Sequence, residues 1–366
     1  MAEFGRFFLP GPTEVRPEVL AAMNRQVIGH RGRDLSDLLL DADPRLRRLF
    51  RTGRPVYVSS SSATGLMEAG VRNGVRARAL SLVNGAFSGR FRDLVTDCGK
   101  EGETYEVAWG EAHAAEEVER RLRAGGFDAI TVVHSETSTG VLNPLPEIAE
   151  AVRAAEAATG EEILILVDGV TSVGGGLVEA DAWGLDWLLT GSQKAMALPP
   201  GLAFGSASER MLARAATLRG RGQYFDLLEF DRYWGKHQTP TTPAVNLIYA
   251  LVEQLRYIDE EGLESRAQRH WRMAERTWRW AETVGDRWGL SVLAPEGARS
   301  ATVTAYRLPA ELEGPPIVSR LKQRGYTIGS GYGKLKETTI RIGHMGDHTV
   351  AELEQLLVQL EEVLTR

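Results

Sequence analysis

Between residues 56 and 190, short and largely apolar runs alternate with segments of helical character. The runs Ala79–Val83, Ala129–Val133 and Ile163–Val167 are rich in Val, Ile and Leu, as strands buried on both faces of a sheet are. Between such runs, Pro146–Thr159 has proline in its first turn and apolar residues at helical spacing. This alternation predicts an α/β fold with a parallel sheet covered by helices.

The pattern changes near Pro243. We predict one long helical stretch, rich in Arg, Glu and Trp, from Ala244 to about Trp288, with short strands and two further helices after it. These elements indicate a second, smaller α+β domain. We therefore expect an N-terminal arm over residues 1–16, a large domain over 17–255 and a small C-terminal domain over 256–366.

Composition narrows the class of protein. The 366 residues carry a net charge of −6 and include one cysteine, Cys98. The charge disfavours nucleic acid as the main partner, and a lone cysteine excludes an intrachain disulfide. There is no Cys/His cluster at zinc spacing, no apolar run long enough to span a membrane, and no signal-peptide core near Phe7-Phe8-Leu9. We expect a cytoplasmic protein without a metal site or a membrane partner.

Lys194 and Asp168 each follow an apolar strand-like run. Burial disfavours an ammonium ion, so a lysine placed there tends towards the neutral amine that forms Schiff bases. A carboxylate at a strand end is rarely left unpaired. Together the two residues suggest pyridoxal phosphate, with Lys194 holding its aldehyde and Asp168 pairing with its pyridinium nitrogen. Taken alone, Asp168 could equally be a structural ion pair or a helix cap.

Small and aromatic residues follow two other predicted strands. Ser62, Ala63 and Thr64 precede a predicted helix, where free backbone N–H groups favour a phosphate; the alternative is an ordinary serine-rich cap. Phe87 follows the strand that ends at Val83. Its ring could stack on a flat cofactor, or it could simply belong to the core.

Two more polar residues complete the candidate site. Thr137 belongs to a group of hydroxyl residues after the strand that ends at Val133, and these could bind a ring oxygen or cap a turn. Arg341 lies inside an apolar strand-like run in the second domain. It suggests bidentate capture of a carboxylate, although an edge-strand arginine could also point to water. Because ligands bind at the carboxyl ends of parallel strands, we expect these groups to converge.

Over nearly its whole length the chain resembles the class V aminotransferases, which are fold type I pyridoxal phosphate enzymes, and especially their alanine/serine–glyoxylate branch. The motifs that carry the resemblance are, in chain order, Leu9-Pro10-Gly11-Pro12-Thr13, Gly29-His30-Arg31, Ser62-Ala63-Thr64, Asn84-Gly85-Ala86-Phe87, Glu136-Thr137-Ser138-Thr139-Gly140, Val167-Asp168, Gly191-Ser192-Gln193-Lys194, Thr239-Pro240-Thr241-Thr242-Pro243 and Arg341-Ile342-Gly343. The resemblance implies a mainly parallel seven-stranded sheet sandwiched by helices.

The resemblance also implies a role for each matching residue. Lys194 and Asp168 keep the roles given above, and Thr137 lies near the ring oxygen. Phe87 occupies a stacking position where many relatives carry tryptophan. The phosphate is held by Ser62, Ala63, Thr64 and Gln193 and, from the neighbouring subunit, by Thr239 and Thr242. A homodimer with shared active sites follows, in which Arg341 and the backbone near Gly11 bind the substrate carboxylate.

The sequence constrains the identity of the substrate less than it constrains the type of reaction. The resemblance favours alanine or serine as amino donor and glyoxylate or pyruvate as the 2-oxo acid acceptor. His30 and Arg31 also match the His-Arg-Gly of phosphoserine aminotransferases, so phosphoserine with 2-oxoglutarate is the main alternative, and aspartate is a further donor. A desulfurase or related lyase of the same fold would need a late cysteine, and Cys98 lies early. An inert binding protein of this fold is the last alternative.

Overall fold

The computed structural model describes residues 4–365, and they form two main sheets and a small two-stranded one. The strands in this part of the chain are β1 (Phe7–Phe8), β2 (Tyr57–Ser59), β3 (Arg78–Val83), β4 (Glu101–Glu106), β5 (Ala129–Val133), β6 (Ser135–Glu136), β7 (Val141–Leu142), β8 (Leu164–Asp168), β9 (Trp187–Gly191), β10 (Ala203–Ala207), β11 (Ser291–Val292), β12 (Val303–Arg307), β13 (Thr327–Ser330) and β14 (Thr339–Gly343). The helices are α1 (Pro17–Ala22), α2 (Arg33–Phe50), α3 (Ala63–Gly74), α4 (Ala86–Asp97), α5 (Ala115–Arg123), α6 (Leu145–Thr159), α7 (Glu209–Thr217), α8 (Leu227–Trp234), α9 (Val245–Glu261), α10 (Leu263–Thr283), α11 (Gly314–Gln323) and α12 (Val350–Thr365).

The larger sheet has seven strands in the order β2-β10-β9-β8-β5-β3-β4. Only β10 runs antiparallel to its neighbours, so the prediction of a mainly parallel seven-stranded sheet is confirmed. Every residue of β5, β8 and β9 is buried, as expected for strands covered on both faces. The carboxyl ends of β3, β5, β8 and β9 therefore lie at one edge of the sheet.

Close packing around Trp187 fixes β9 against its neighbours. The indole is fully buried, and its Nε1 donates to the Leu66 carbonyl of α3 at 3.0 Å. A Cβ added to Gly70 of α3 would come within 2.7 Å of the Trp187 ring, and one added to Gly205 of β10 would also collide with it. Glycine at these two positions lets α3 and β10 approach Trp187 in β9, the strand that leads to Lys194.

The second sheet joins the two ends of the chain. Its order is β1-β13-β14-β12-β11, and β1 pairs with β13 in parallel, with Phe7 opposite Thr327. The arm expected over residues 1–16 thus contains a strand that no periodicity in a two-residue segment could reveal. Phe8 belongs to the hydrophobic cluster formed by this sheet and helices α10 to α12. The smaller α+β unit predicted from the sequence is present, with the N-terminal strand added to it.

The prediction of one helical stretch from Ala244 to Trp288 was wrong. Helix α9 ends at Glu261 and α10 begins at Leu263, because Gly262 adopts φ +78°, which glycine tolerates and a helix does not. The large core cluster extends to Ile258 near the end of α9. The predicted boundary between residues 255 and 256 therefore falls inside a helix, and the extent of the two domains stays a prediction.

Within residues 4–365, no helix combines the length and the apolar character needed to cross a bilayer.

Candidate active site

Lys194 lies three residues beyond β9, at the carboxyl edge of the large sheet. It is 7% exposed, and its Nζ donates to the carbonyl of Pro10. Burial and, to a smaller extent, the nearby Arg341 cation lower the pKa of Lys194 to about 8. Gly11 packs directly on this side chain, since an added Cβ would collide with Nζ. The backbone near Gly11, which we predicted to bind the substrate carboxylate together with Arg341, thus lies against the Lys194 side chain. Its contact with a substrate stays a prediction.

Asp168 is the last residue of β8, the strand next to β9. It is 4% exposed, and its Oδ1 accepts a 2.7 Å hydrogen bond from the Val170 N–H. Burial raises the pKa of Asp168 to about 7 despite that bond, and Glu136 contributes in the same direction. A cation beside this carboxylate would favour its charged form. Asp168 is therefore a buried acceptor suited to a cationic N–H group.

Phe87 lies in the first turn of α4, with its ring centroid 5.6 Å from Lys194 Nζ and 5.3 Å from the ring of Tyr332. The turn is fixed by Glu136, a fully buried carboxylate. Glu136 accepts hydrogen bonds from the Ser88 N–H at 2.9 Å and from the Phe87 N–H at 3.2 Å. Glu136 was predicted only as part of a motif. An acidic residue among hydroxyl residues at a strand end could have indicated that it holds the neighbouring turn by hydrogen bonds.

We expect Glu136→Ala to lower the free energy of unfolding by about 2–3 kcal/mol, because several buried N–H groups lose a charged acceptor. Urea unfolding of the cofactor-free protein measures this change. Glu136→Gln should recover part of the loss, since its amide oxygen still accepts. Glu150→Ala, at an exposed position of α6, is the matched control. Equal stability of the Glu136→Ala and Glu150→Ala variants would contradict the anchoring role.

The N-terminus of α3 lies beside the end of β9. Helix α3 begins at Ala63 with Ser62 as its cap, and the Ser62 side chain makes no capping hydrogen bond. A Cβ on Gly191 would lie 3.3 Å from the Ala63 Cβ and 2.6 Å from Gln193 Oε1. The N-terminal N–H groups of a helix favour an anion. Ser62, Ala63 and Gln193 thus lie around one space at this helix N-terminus, and their binding of a phosphate stays a prediction.

Thr64 and Arg90 border the same seat. Arg90 Nη1 lies 3.4 Å from Thr64 Oγ1, and Nη2 lies 3.4 Å from the Tyr332 hydroxyl. The guanidinium also lies over the Phe87 ring at 5.1 Å. Within residues 4–365, no ion pair joins Arg90 to a carboxylate. Arg90 was not predicted as a site residue. Its position one helical turn after Phe87 could have indicated it.

Arg341 reaches the site from β14 of the second sheet and is 8% exposed. Its Nε donates to the Ser330 carbonyl at 2.9 Å, and Nη1 donates to the Thr137 carbonyl at 3.1 Å. These bonds use two of its five N–H groups. Burial lowers the pKa of Arg341 to about 10, so it stays cationic at neutral pH. The remaining N–H groups can bind a carboxylate in the bidentate manner.

Thr137 lies on the loop after β6, between Arg341 and the end of β8. Its Oγ1 is 2.5 Å from Thr171 Oγ1, and both residues are buried. Thr171 in turn offers its carbonyl to the Thr302 hydroxyl at 2.8 Å. The predicted hydroxyl group is therefore present near the site, but it is hydrogen-bonded to Thr171, which was not predicted as a site residue.

The remaining predicted residues form a separate group. Arg31 donates to the carbonyls of Thr239 and Pro240 at 2.6 and 2.9 Å, and Thr242 Oγ1 lies 3.5 Å from His30 Nε2. Arg31 also lies over the Tyr233 ring at 4.9 Å. No described contact joins this group to Lys194 within one chain. The structure brings these residues to each other and not to the lysine.

The residues at the sheet edge fit pyridoxal phosphate. A helix N-terminus faces the phosphate seat, and Gly191 leaves room there that a Cβ would fill. A buried amine with a lowered pKa and a buried carboxylate follow adjacent strands. The ring of Phe87 lies near that amine.

Comparison with known proteins gives a consistent result. Residues 103–331 match the family model described as aminotransferase class-V. The chain is 38% identical to an uncharacterized aminotransferase of Methanocaldococcus jannaschii over 92% of this chain and 87% of that protein. It is 33% identical to a serine–glyoxylate aminotransferase of Methylorubrum extorquens, over 93% of this chain and 86% of the relative.

A solved structure agrees with these relatives. The crystal structure of an alanine–glyoxylate aminotransferase from Nostoc sp. superimposes with a TM-score of 0.91 at 32% identity, and it covers 100% of this chain and 96% of its own. The family model matches more than half of the chain, and relatives above 30% identity match nearly all of it. These findings assign the chain to one family. The chain belongs to the class V aminotransferase family.

Proposed function

We propose that this aminotransferase uses pyridoxal phosphate to move an amino group from a small L-amino acid, alanine or serine, to glyoxylate or pyruvate. The observation that carries the proposal is the meeting of three groups at one site: the Lys194 amine, the Asp168 carboxylate and the Arg341 guanidinium. The relatives named for glyoxylate transamination support the choice of acceptor.

Each residue has a distinct part in this mechanism. Pyridoxal phosphate, when bound, supplies the aldehyde that takes the amino group and the ring that withdraws electrons from the substrate Cα. Arg341 binds the substrate carboxylate and so orients Cα towards Lys194. The neutral Lys194 amine would accept the proton of Cα and deliver it to the cofactor carbon that carried the aldehyde. The Asp168 carboxylate would accept a hydrogen bond from the ring nitrogen and so keep that nitrogen protonated, and Phe87 would cover the ring and exclude water from it.

The lowered pKa of Lys194 predicts how cofactor capture depends on pH. The neutral amine is the form that reacts with an aldehyde, and it dominates above a pKa of about 8. Below that pH we expect the rate of capture by cofactor-free protein to fall about tenfold per pH unit, and above it to level off. Stopped-flow absorbance measures the rate. Arg341→Gln should move the plateau to higher pH, and an unchanged profile in that variant would contradict the coupling.

The position of Arg90 favours aspartate as the second candidate donor. Arg90 faces the site from α4 without a carboxylate partner within residues 4–365, and it lies next to Phe87 and Tyr332. A free guanidinium near the substrate can bind a second, distal carboxylate. The phosphoserine alternative has less support, because Arg31 already donates to two backbone carbonyls.

A half-reaction screen tests the proposed donor. L-alanine, L-serine, L-aspartate, L-glutamate and O-phospho-L-serine are added separately to the cofactor-loaded protein, and the change in cofactor absorbance gives each rate. We expect alanine or serine to react fastest. If aspartate reacts fastest and Arg90→Met removes that preference, the second candidate is correct. Fastest reaction with phosphoserine would contradict both.

We also propose a homodimer with shared active sites in the cytoplasm. The group formed by His30, Arg31, Thr239 and Thr242 lies apart from the Lys194 site of its own chain, and Thr242 is exposed. In a dimer this group could complete the phosphate seat of the partner, as the family resemblance implies. Cys98, the single cysteine, is half-buried and unpaired, which fits a reducing compartment.

A further inference from the structure

A second cavity lies behind the candidate active site, between the large sheet and α10. Its volume is about 610 Å³, within the range of small-molecule sites. None of the proposed cofactor or substrate residues lines it. Its walls come from the loop after β5, the start of α6, helix α10 and the segment 297–302. A space of this size at a seam between elements is typical of a ligand site.

Aromatic and apolar side chains form much of the wall. Trp183 and Trp271 both line the cavity, and Trp271 and Leu177 are 38% and 40% exposed. Large apolar groups left in contact with water are a feature of binding sites. Indole rings favour flat, aromatic partners through offset or edge-to-face contacts. The wall thus favours a planar ring system over a flexible polar molecule.

One buried polar side chain faces this cavity with a free nitrogen. His134 is 6% exposed and lies edge-on to the Trp183 ring at 5.8 Å. Its Nδ1 is 3.0 Å from Ser172 Oγ, and no hydrogen bond from residues 4–365 reaches Nε2. Burial lowers the pKa of His134 to about 4, so the ring is neutral at physiological pH. Nε2 is therefore open to the cavity, and a ligand hydroxyl can form a hydrogen bond with it.

The charged residues at the cavity disfavour anionic ligands. Glu147 and Glu264 are the only charged residues among those that line it within the described chain, and both are exposed. No lysine or arginine lines the wall, so a carboxylate or phosphate on the ligand would meet acidic residues and no counter-ion. We propose that this cavity is a second ligand site, for a small uncharged aromatic molecule whose hydroxyl group hydrogen-bonds His134 Nε2.

Calorimetric titration of the cofactor-loaded protein with three matched probes tests the proposal. The probes are 2-naphthol, naphthalene, which lacks the hydroxyl, and 6-hydroxy-2-naphthoate, which adds an anion. We expect 2-naphthol to bind, and naphthalene to bind about tenfold more weakly, in line with the loss of one hydrogen bond. The naphthoate keeps the hydroxyl but should also bind about tenfold more weakly, because its anion meets acidic residues and no counter-ion. Cofactor absorbance should stay unchanged, because the cavity is separate from the cofactor site.

Variants at the wall identify the site. His134→Asn keeps a group near Nδ1 and loses the one near Nε2, so it should abolish the preference for 2-naphthol over naphthalene. His134→Gln should retain that preference. Trp271→Ala should weaken all binding, whereas Val358→Ala, an exposed apolar position on α12, should not. The proposal would be overturned if 2-naphthol did not bind or if it displaced the cofactor. It would also be overturned if the His134→Asn and Trp271→Ala variants bound the probes as the unmodified protein does.

Discussion

Lys194→Ala is expected to reduce the rate of amino transfer by about 10⁴-fold, the upper end of what a positioned acid–base group contributes. The variant loses both the amine that holds the cofactor and the base that moves the Cα proton. Its fold should survive, because the only hydrogen bond described for the side chain is the one from Nζ to the Pro10 carbonyl. Single-turnover absorbance with excess cofactor measures the loss.

Two comparisons separate chemistry from folding in that experiment. Lys322→Ala, an exposed position on α11, should leave turnover unchanged. Added methylamine should restore part of the activity of Lys194→Ala, since a free amine can replace the missing base. If Lys194→Ala kept more than about a hundredth of normal turnover, Lys194 could not be the main base.

Asp168→Asn is the second large effect, with an expected fall in turnover of about 10²–10³-fold, comparable to the loss of one preorganised electrostatic partner. Asparagine keeps the shape of the side chain and the hydrogen bond from Val170. It removes the negative charge that holds a proton on the ring nitrogen. The turnover is expressed per bound cofactor, so that weaker binding is not counted as slower chemistry.

The matched control for Asp168→Asn is Asp186→Asn. Asp186 is another buried carboxylate, but it pairs with Arg153 and accepts from the Ile165 N–H at the opposite end of the sheet. We expect that variant to lose stability and to keep turnover per bound cofactor. Near-normal activity of Asp168→Asn, with the control also active, would show that the ring nitrogen needs no charged partner here.

The parallel strands could be predicted well from the sequence, because burial on both faces imposes long apolar runs. The run Ala129–Val133 matches β5, and Ile163–Val167 differs from β8 by one residue at each end. Two strands of the sheet were not identified individually. β4 (Glu101–Glu106) is a polar edge strand, and β10 is a short antiparallel strand after a Pro-rich turn. Neither has the continuous apolar pattern.

In the candidate site, too, only the residues next to a recognisable local pattern could be predicted. Lys194, Asp168 and Phe87 could be singled out because each lies at, or within four residues of, the end of a recognisable strand. Glu136 and Arg90 depend on which side chains meet across loops and helices, and nothing in local periodicity encodes such contacts. The break at Gly262 was missed because a single glycine is weak evidence against an otherwise helical pattern.

The place of β1 in the second sheet has a consequence for how the site opens. Gly11 follows this strand closely and covers Lys194, whereas Arg341 lies on β14 of the same sheet. Gly11, which covers the amine, and Arg341, which is placed to bind the carboxylate, thus both belong to the second sheet and the segment next to it. They lie near opposite ends of the chain. Any movement of the second sheet against the large sheet would therefore displace Gly11 and Arg341 together, and would couple release of the substrate carboxylate to exposure of the lysine.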